Sequence, residues 1–556
     1  MGIVFIKENI MAFKFDKNSE YANLRTKFSI LRLIFSTFFY IILLLILEIY
    51  LLLNFYDTIQ ELGFVRITYF LTAASIIYLI NSKRDKSAYK ISWMIIFLVL
   101  PGFGVLLYIV IRLIDLFNKG RKKIKDITIQ SQKFYNYKYS DFLRKQIVKY
   151  KNNRLNHIDT SKNTQMINEL TFFHYLDSYA KLPVYNNTDL HYFNNGNDAF
   201  CDIIDKLKLA KKFIFIEIFI LADGIVWQEI LKVLKEKAKD GVEVRIMFDG
   251  LNALSSFTKS YCKVLKSYNI DAKVFKPIAP VLSNTQNRRD HRKIFVIDNE
   301  VAYTGGINIA DEYANLYDRF GYWKDAAIRV TGNAVESFTV MFLQVWQVDL
   351  KTRLIDFSNY LPKYSKKIPC DDKNAFTLPY TDYPSLYENI SLQIYKYMFN
   401  NANNYMYIMT PYLVIDEEMV NVIESCAKRG VDVRIIVPHI PDKKYVFYVN
   451  RSYYKSLTLA GAHVYEYMPG FVHAKVYLSD NLRGVVGTAN LDFRSLYLHY
   501  ENGAYFYNKS DVISDIKADF DSVFEECKEM TLPEIANIPK KHRVFGAILR
   551  VIAPLL

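Results

Sequence analysis

Cysteine is scarce in this chain. There are five in 556 residues (Cys201, Cys262, Cys370, Cys426 and Cys527), scattered and without a CxxC pair. That excludes a disulfide framework and a cysteine zinc site. No HExxH spacing, P-loop or Gly-rich nucleotide fingerprint occurs, so the usual metalloprotease helix and phosphate cradle are missing too. Long apolar runs are absent beyond residue 111, which excludes a polytopic transporter. Low-complexity sequence is also lacking. With 51% hydrophobic and 23% charged residues, the chain has the apolar surface to build cores.

Acidic residues do not balance basic ones. The 71 Lys+Arg and 57 Asp+Glu leave a net charge of +14. Residues 1–111 carry 11 basic and 7 acidic groups, and residues 112–162 carry 14 and 4, so residues 163–556 sum to zero. The basic excess sits beside the apolar region, where anionic lipid attracts it by ~1 kcal/mol per Lys or Arg. A nucleic-acid enzyme spreads such charge over its catalytic domain, so no nucleic-acid partner is expected.

Three apolar segments, 33–53, 64–80 and 91–111, approach the ~20 residues that a membrane span needs. The expectation is an N-terminal membrane region over 1–111 and a basic juxtamembrane linker over 112–162. Basic flanks lie before, between and after these segments, and the positive-inside rule draws all of them to the cytoplasm. Three full spans do not satisfy that. Either the third segment dips in and returns at Pro101-Gly102-Phe103-Gly104, or one of the first two does not span.

The remaining chain contains itself twice. Lys239-Asp240-Gly241-Val242-Glu243-Val244-Arg245-Ile246 returns as Lys428-Arg429-Gly430-Val431-Asp432-Val433-Arg434-Ile435. Each copy follows a helical pattern and enters an apolar strand, with Gly where a helix C-cap needs positive φ. An earlier apolar strand precedes each copy, so both halves read as β–α–β units of an α/β fold. The chemistry follows in each. His291-Arg292-Lys293 leads through Asp298 to Gly305-Gly306-Ile307-Asn308, and His473-Ala474-Lys475 leads through Asp480 to Gly487-Thr488-Ala489-Asn490. Both obey H-x-K-x4-D-x6-G-x-x-N, displaced by 182 residues.

Residues two apart in a strand share a face, so His and Lys project together. Two His, two Lys and two Asn suit a phosphate diester. Lysines and amides hold the oxygens, one imidazole attacks phosphorus, and the other protonates the leaving alkoxide. No metal or other cofactor is expected, because the four donors replace it.

These motifs resemble the phospholipase D superfamily and, within it, bacterial cardiolipin synthases. The likeness runs from residue 64 to the end. It includes Leu100-Pro101-Gly102-Phe103-Gly104, Arg289-Asp290-His291-Arg292-Lys293, Trp323-Lys324-Asp325, Thr410-Pro411-Tyr412-Leu413, Asn490-Leu491-Asp492-Phe493-Arg494-Ser495 and Glu501. Thr488 stands where many members carry Ser, a departure expected to leave the chemistry untouched. The resemblance implies an α/β fold: a duplicated phospholipase D-like α/β/α module of two paired halves, preceded by N-terminal transmembrane helices. It implies transphosphatidylation between two phosphatidylglycerol molecules, giving cardiolipin and glycerol. The setting would be a multi-pass protein of the cell membrane with its catalytic domain on the cytoplasmic face. A hydrolytic phospholipase D or a phosphatidylserine synthase-like transferase differs only in acceptor.

The expected boundaries are 163–356 for the first half, 357–385 for a connector, 386–530 for the second half and 531–556 for an amphipathic tail. Glu312 and Glu501 are candidates for orienting the imidazoles, as carboxylates beside reactive histidines do. A surface ion pair is the alternative for each. Asp298 and Asp480 belong to the motif, and the resemblance places them with the catalytic residues, yet seven residues on they have the wrong parity to share a face with His and read from spacing as structural. The other histidines (His157, His174, His191, His439, His463, His499 and His542) lack ligand spacing and read as surface or core residues. The tail, Lys540-Lys541-His542-Arg543 and then Val544–Ile552, is too short to span. It is either a helix packed on the domain or an interfacial segment at an anionic membrane surface.

Overall fold

The structure, a computed structural model, describes residues 42–50, 53–54, 64–82, 86–116, 119–135, 164–254, 259–276, 288–348, 355–361, 375–384 and 388–552, with five single positions between 144 and 152. Each half builds a mixed sheet. In the first, the parallel strands Phe213–Ile218, Glu243–Asp249 and Ile270–Phe275 occupy one side. The antiparallel strands Ile294–Ile297, Val301–Gly305, Ala327–Gly332 and Thr188–Phe193 complete it to seven. The second sheet repeats this order and extends it to eight strands. Its far edge is Phe376–Asp382, which the sequence had assigned to the connector.

The repeated Gly241 and Gly430 both take φ +86, ending their helices in the left-handed conformation the sequence predicts. Alternation along the strands divides the cores. Ile294 and Val296, with Val476 and Leu478, face a core shared by the two sheets, whereas Phe295 and Ile297 face outward. Two helices fill the space between the sheets. All twelve residues of Val335–Trp346 are buried there, and Ser510–Glu525 lies opposite. The layers therefore run helix, sheet, helix, sheet, helix, one pair more than the expected α/β/α module, because each half contributes one face to a common core.

The helix Thr164–Ser178, expected with the first half, packs on the second sheet. Glu169 pairs there with buried Arg483 and accepts from Tyr505 and Tyr397. The edge of the first apolar segment is described as the helix of residues 42–50, while residues 33–41 and 51–52 lie outside the described residues. The second segment is the helix Phe64–Asn81. The third is not one span. It breaks at Pro101 and Gly102 (φ +89) into Ser87–Val99 and Phe103–Leu116, 13 and 14 residues long. Trp93 and Phe97 close on Tyr108, with ring centroids 5.0 and 5.5 Å apart, so these helices form a hairpin. Among the described residues, no helix is long and apolar enough to cross a membrane.

Candidate active site

The two halves meet through short parallel backbone contacts, and each contact carries one motif histidine. His291 donates its backbone N–H to the Tyr500 carbonyl, while the Tyr500 N–H donates to Arg289. The strand Gly470–Val472 pairs with Tyr322–Lys324, and the His473 N–H donates to the Lys324 carbonyl at 2.7 Å. Each histidine is thereby set against the residue that follows its partner segment in the other half. His291 Nδ1 lies 2.9 and 3.0 Å from the Glu501 oxygens, and His473 Nδ1 lies 2.8 Å from Asp325. The carboxylate acceptor fixes Nδ1 as the protonated nitrogen of His291, and Asp325 does the same at His473 against Lys475 Nζ, 2.9 Å from that Nδ1, leaving each Nε2 for chemistry.

All of these groups are buried. Burial and then the Lys293 and Lys475 charges hold His291 well below the usual imidazole range. His473 is lowered to about 4 by burial and Lys475, against the pull of Asp325. Burial brings Lys293 down to about 8 and Lys475 to about 7. The Asp325 carboxyl is opposed by burial, but His473 and Lys475 outweigh that and lower it. The lysines fold back on their own motifs, Lys293 Nζ donating to the His291 carbonyl at 2.6 Å and Lys475 Nζ to that of His473. The result is a desolvated pocket of two neutral imidazoles and two ammonium groups, suited to a phosphodiester anion.

Other motif residues serve the scaffold. The Asp298 carboxylate accepts from the backbone N–H groups of Lys211, Lys212 and Phe213, and Asp480 from those of Asn403, Asn404 and Tyr405. Both lie past the far end of the motif strand from His and Lys. Their place with the catalytic residues is corrected accordingly: parity carries them away from the imidazoles and onto a turn. Glu312 is spent on Arg319 and orients neither histidine. The Asn308 amide accepts from Ile220 N and donates to the Tyr313 hydroxyl. Asn490 donates to Asp492, while its buried Oδ1 has no partner.

Three residues of the site escaped the sequence reading. Asp325 stood only within a quoted segment, although Gly306 leaves room for it: a Cβ there would meet Asp325 Oδ1 at 1.9 Å. Thr488 keeps the hydroxyl that Ser would carry and donates it to Glu501 at 2.5 Å. His499 lies beside His291, ring centroids 5.6 Å apart. His291, His499 and Glu501 bring ligand-type atoms within 4.8 Å of one another. The donor set does not suit a metal, because Glu501 holds His291 Nδ1 protonated and Arg494 Nε donates toward His499 Nε2, which leaves the proton of that ring on Nδ1 as well.

The chain is similar to known proteins in sequence and in fold. The family model described as cardiolipin synthase, PLD-like domain matches residues 203–345 and 395–525, and a phospholipase D–nuclease N-terminal model matches 70–112. A Streptococcus mutans protein described as uncharacterized is 41% identical over 87% of this chain and 99% of its own. Cardiolipin synthase 2 of Bacillus anthracis is 30% identical over 86% of this chain and 89% of its own. The crystal structure of phosphatidylserine synthase from Haemophilus influenzae has the same fold, with a TM-score of 0.52 at 17% identity, covering 66% of this chain and 95% of that one. On the motifs, the paired halves and these relatives together, the chain belongs to the cardiolipin synthase family of phospholipase D-like proteins.

Proposed function

We propose that this protein is a phosphatidyltransferase that makes cardiolipin and glycerol from two phosphatidylglycerol molecules. The observation that carries this reading is the pair of buried imidazoles, each held at Nδ1 by a carboxylate of the opposite half. His291 Nε2 attacks the phosphorus of the first lipid, and the bond to the glycerol oxygen breaks. His473, which the bound phosphodiester anion helps to protonate, gives its proton to that oxygen. The terminal hydroxyl of the second lipid then returns a proton to His473 and attacks phosphorus, breaking the bond to His291 and forming cardiolipin. Lys293 and Lys475 hold the phosphoryl oxygens throughout. His291 is the nucleophile in this reading, with burial and the neighbouring lysines holding it neutral.

The N-terminal helices and the tail would hold this site at the cytoplasmic face of an anionic membrane. Their exposed apolar side chains support this, among them Phe70, Leu98, Leu106 and Ile548. The test is lipid mass spectrometry after expression in a host that lacks cardiolipin. Cardiolipin should accumulate with the natural protein. His291→Ala and His473→Ala should each abolish it, because nucleophile and acid act as a unit. Near-normal production by either variant would sink the shared-site mechanism. Accumulation of phosphatidic acid or phosphatidylserine instead would change the acceptor.

A further inference from the structure

We infer that His499 is a positioning residue of this site, acting through Glu501 to hold His291 in its neutral, attacking form. The inference rests on the two-histidine mechanism and adds to it a third imidazole that breaks the symmetry of the halves. His499 stands two residues before Glu501, and Trp323 stands two residues before Asp325. Trp323 lies 5.5 Å from His473, and His499 lies 5.6 Å from His291, ring centroid to ring centroid. Equivalent stations thus flank one reactive imidazole with an indole and the other with a second imidazole.

The tautomer of His499 follows from its neighbours. Arg494 Nε, which only donates, lies 3.4 Å from Nε2. The ring hydrogen is therefore on Nδ1. That atom is buried without a bonded partner and faces Glu501 Oε1 at 3.6 Å. The separation exceeds a formed hydrogen bond, so in this state the contact is an oriented dipole that a small carboxylate shift would close. Glu501 is thus met by His291 Nδ1, by the Thr488 hydroxyl and by His499. Each donor spreads the carboxylate charge and weakens its pull on a second His291 proton. The other charged groups facing His291 are Lys293, Lys475, His473 and Lys443, all of which oppose its protonation. Arg494 faces His499 from the remaining side.

The experiment is the pH dependence of kcat/KM for glycerol release from phosphatidylglycerol in mixed micelles, comparing the natural protein with His499→Phe and His499→Asn. Phe keeps the ring and loses the donor, whereas Asn keeps an N–H. In His499→Phe the Glu501 charge is less shared, His291 takes up its proton more readily, and the acid limb moves up by about one pH unit, a roughly tenfold loss on that limb. The plateau should stay within about twofold, and Asn should restore the limb. An equal fractional loss at every pH would assign His499 a packing role and overturn the inference, as would an unmoved limb. If the natural protein released no headgroup from any phospholipid, the function reading would fall together with it. Glycerol release without cardiolipin would remove only the acceptor and leave the limb readable.

Discussion

At the scale of single residues, the lysines make the sharpest claim. Lys475 is lowered to about 7 and Lys293 to about 8 by burial. A lysine with a lowered value is charged below it and neutral above it, and the substrate is an anion. We therefore expect the lysines to add a fall in kcat/KM as pH rises through about 7 to 8, on the alkaline side of the acid limb that His291 sets. Lys475→Arg should have a lower plateau and lose the first part of this fall, because guanidinium stays charged across the range. A natural profile that stays flat well above this window would show that the ammonium groups do not bind the phosphodiester. The lysines and histidines were legible in the sequence because both motifs carry them at one displacement. Asp325 was not, because the register of the repeat fails beyond the asparagines: Asp325 follows Asn308 by 17 residues, and Glu501 follows Asn490 by 11. The contacts of Glu501 and Asp325 cross between halves, and no spacing within one half encodes them.

At the scale of elements, the motif aspartates show how an internally repeated pattern can serve folding. Asp298 and Asn299 have φ of 54° and 55°, and Asp480 and Asn481 have 57° and 52°. Such paired left-handed residues make the tight turn that twists correctly between antiparallel strands, where Asp and Asn are favoured. Each carboxylate then ties its turn to the start of the neighbouring antiparallel strand through three N–H groups. Hydrogen bonds to a charged acceptor contribute ~1.5–3 kcal/mol apiece, but they are not independent. Asp480→Ala should cost about 3 kcal/mol and lower Tm by roughly 5 °C, with kcat of the folded protein changed less than about threefold. Calorimetry and turnover on the same preparation measure both. A large fall in kcat at unchanged Tm would return Asp480 to the chemistry. Parity in the sequence pointed to this role, but the acceptor's partners lie on a strand 75 to 77 residues upstream, which only the fold brings near.

At the scale of the whole molecule, the helical hairpin of residues 87–116 meets the C-terminal helix. The C-terminal helix Lys540–Ile552 packs on Lys444–Leu459, and Ser92 of the N-terminal hairpin donates to the Val551 carbonyl at 2.7 Å. The sequence offered a packed helix or an interfacial one, and the structure shows why these do not exclude each other. Gly546 and Leu549 face the domain, where a Cβ on Gly546 would meet the Tyr448 carbonyl at 2.3 Å. Val544, Phe545, Ile548 and Val551 face outward, and the hairpin it touches exposes Leu98, Val99 and Leu106. Removing the tail outright would disturb packing and surface together, so the informative change is on the outer face alone. Val544→Glu with Ile548→Glu takes two exposed apolar groups, each contributing ~1.5–3 kcal/mol if an acyl layer covers it, and replaces them with charges that anionic lipid repels. We expect Tm unchanged within about 2 °C, because both side chains are mostly exposed. Co-sedimentation with phosphatidylglycerol vesicles and turnover on them should fall at least tenfold, while turnover in detergent micelles holds. Equal turnover on vesicles and micelles in the double variant would mean that water, not lipid, covers this face.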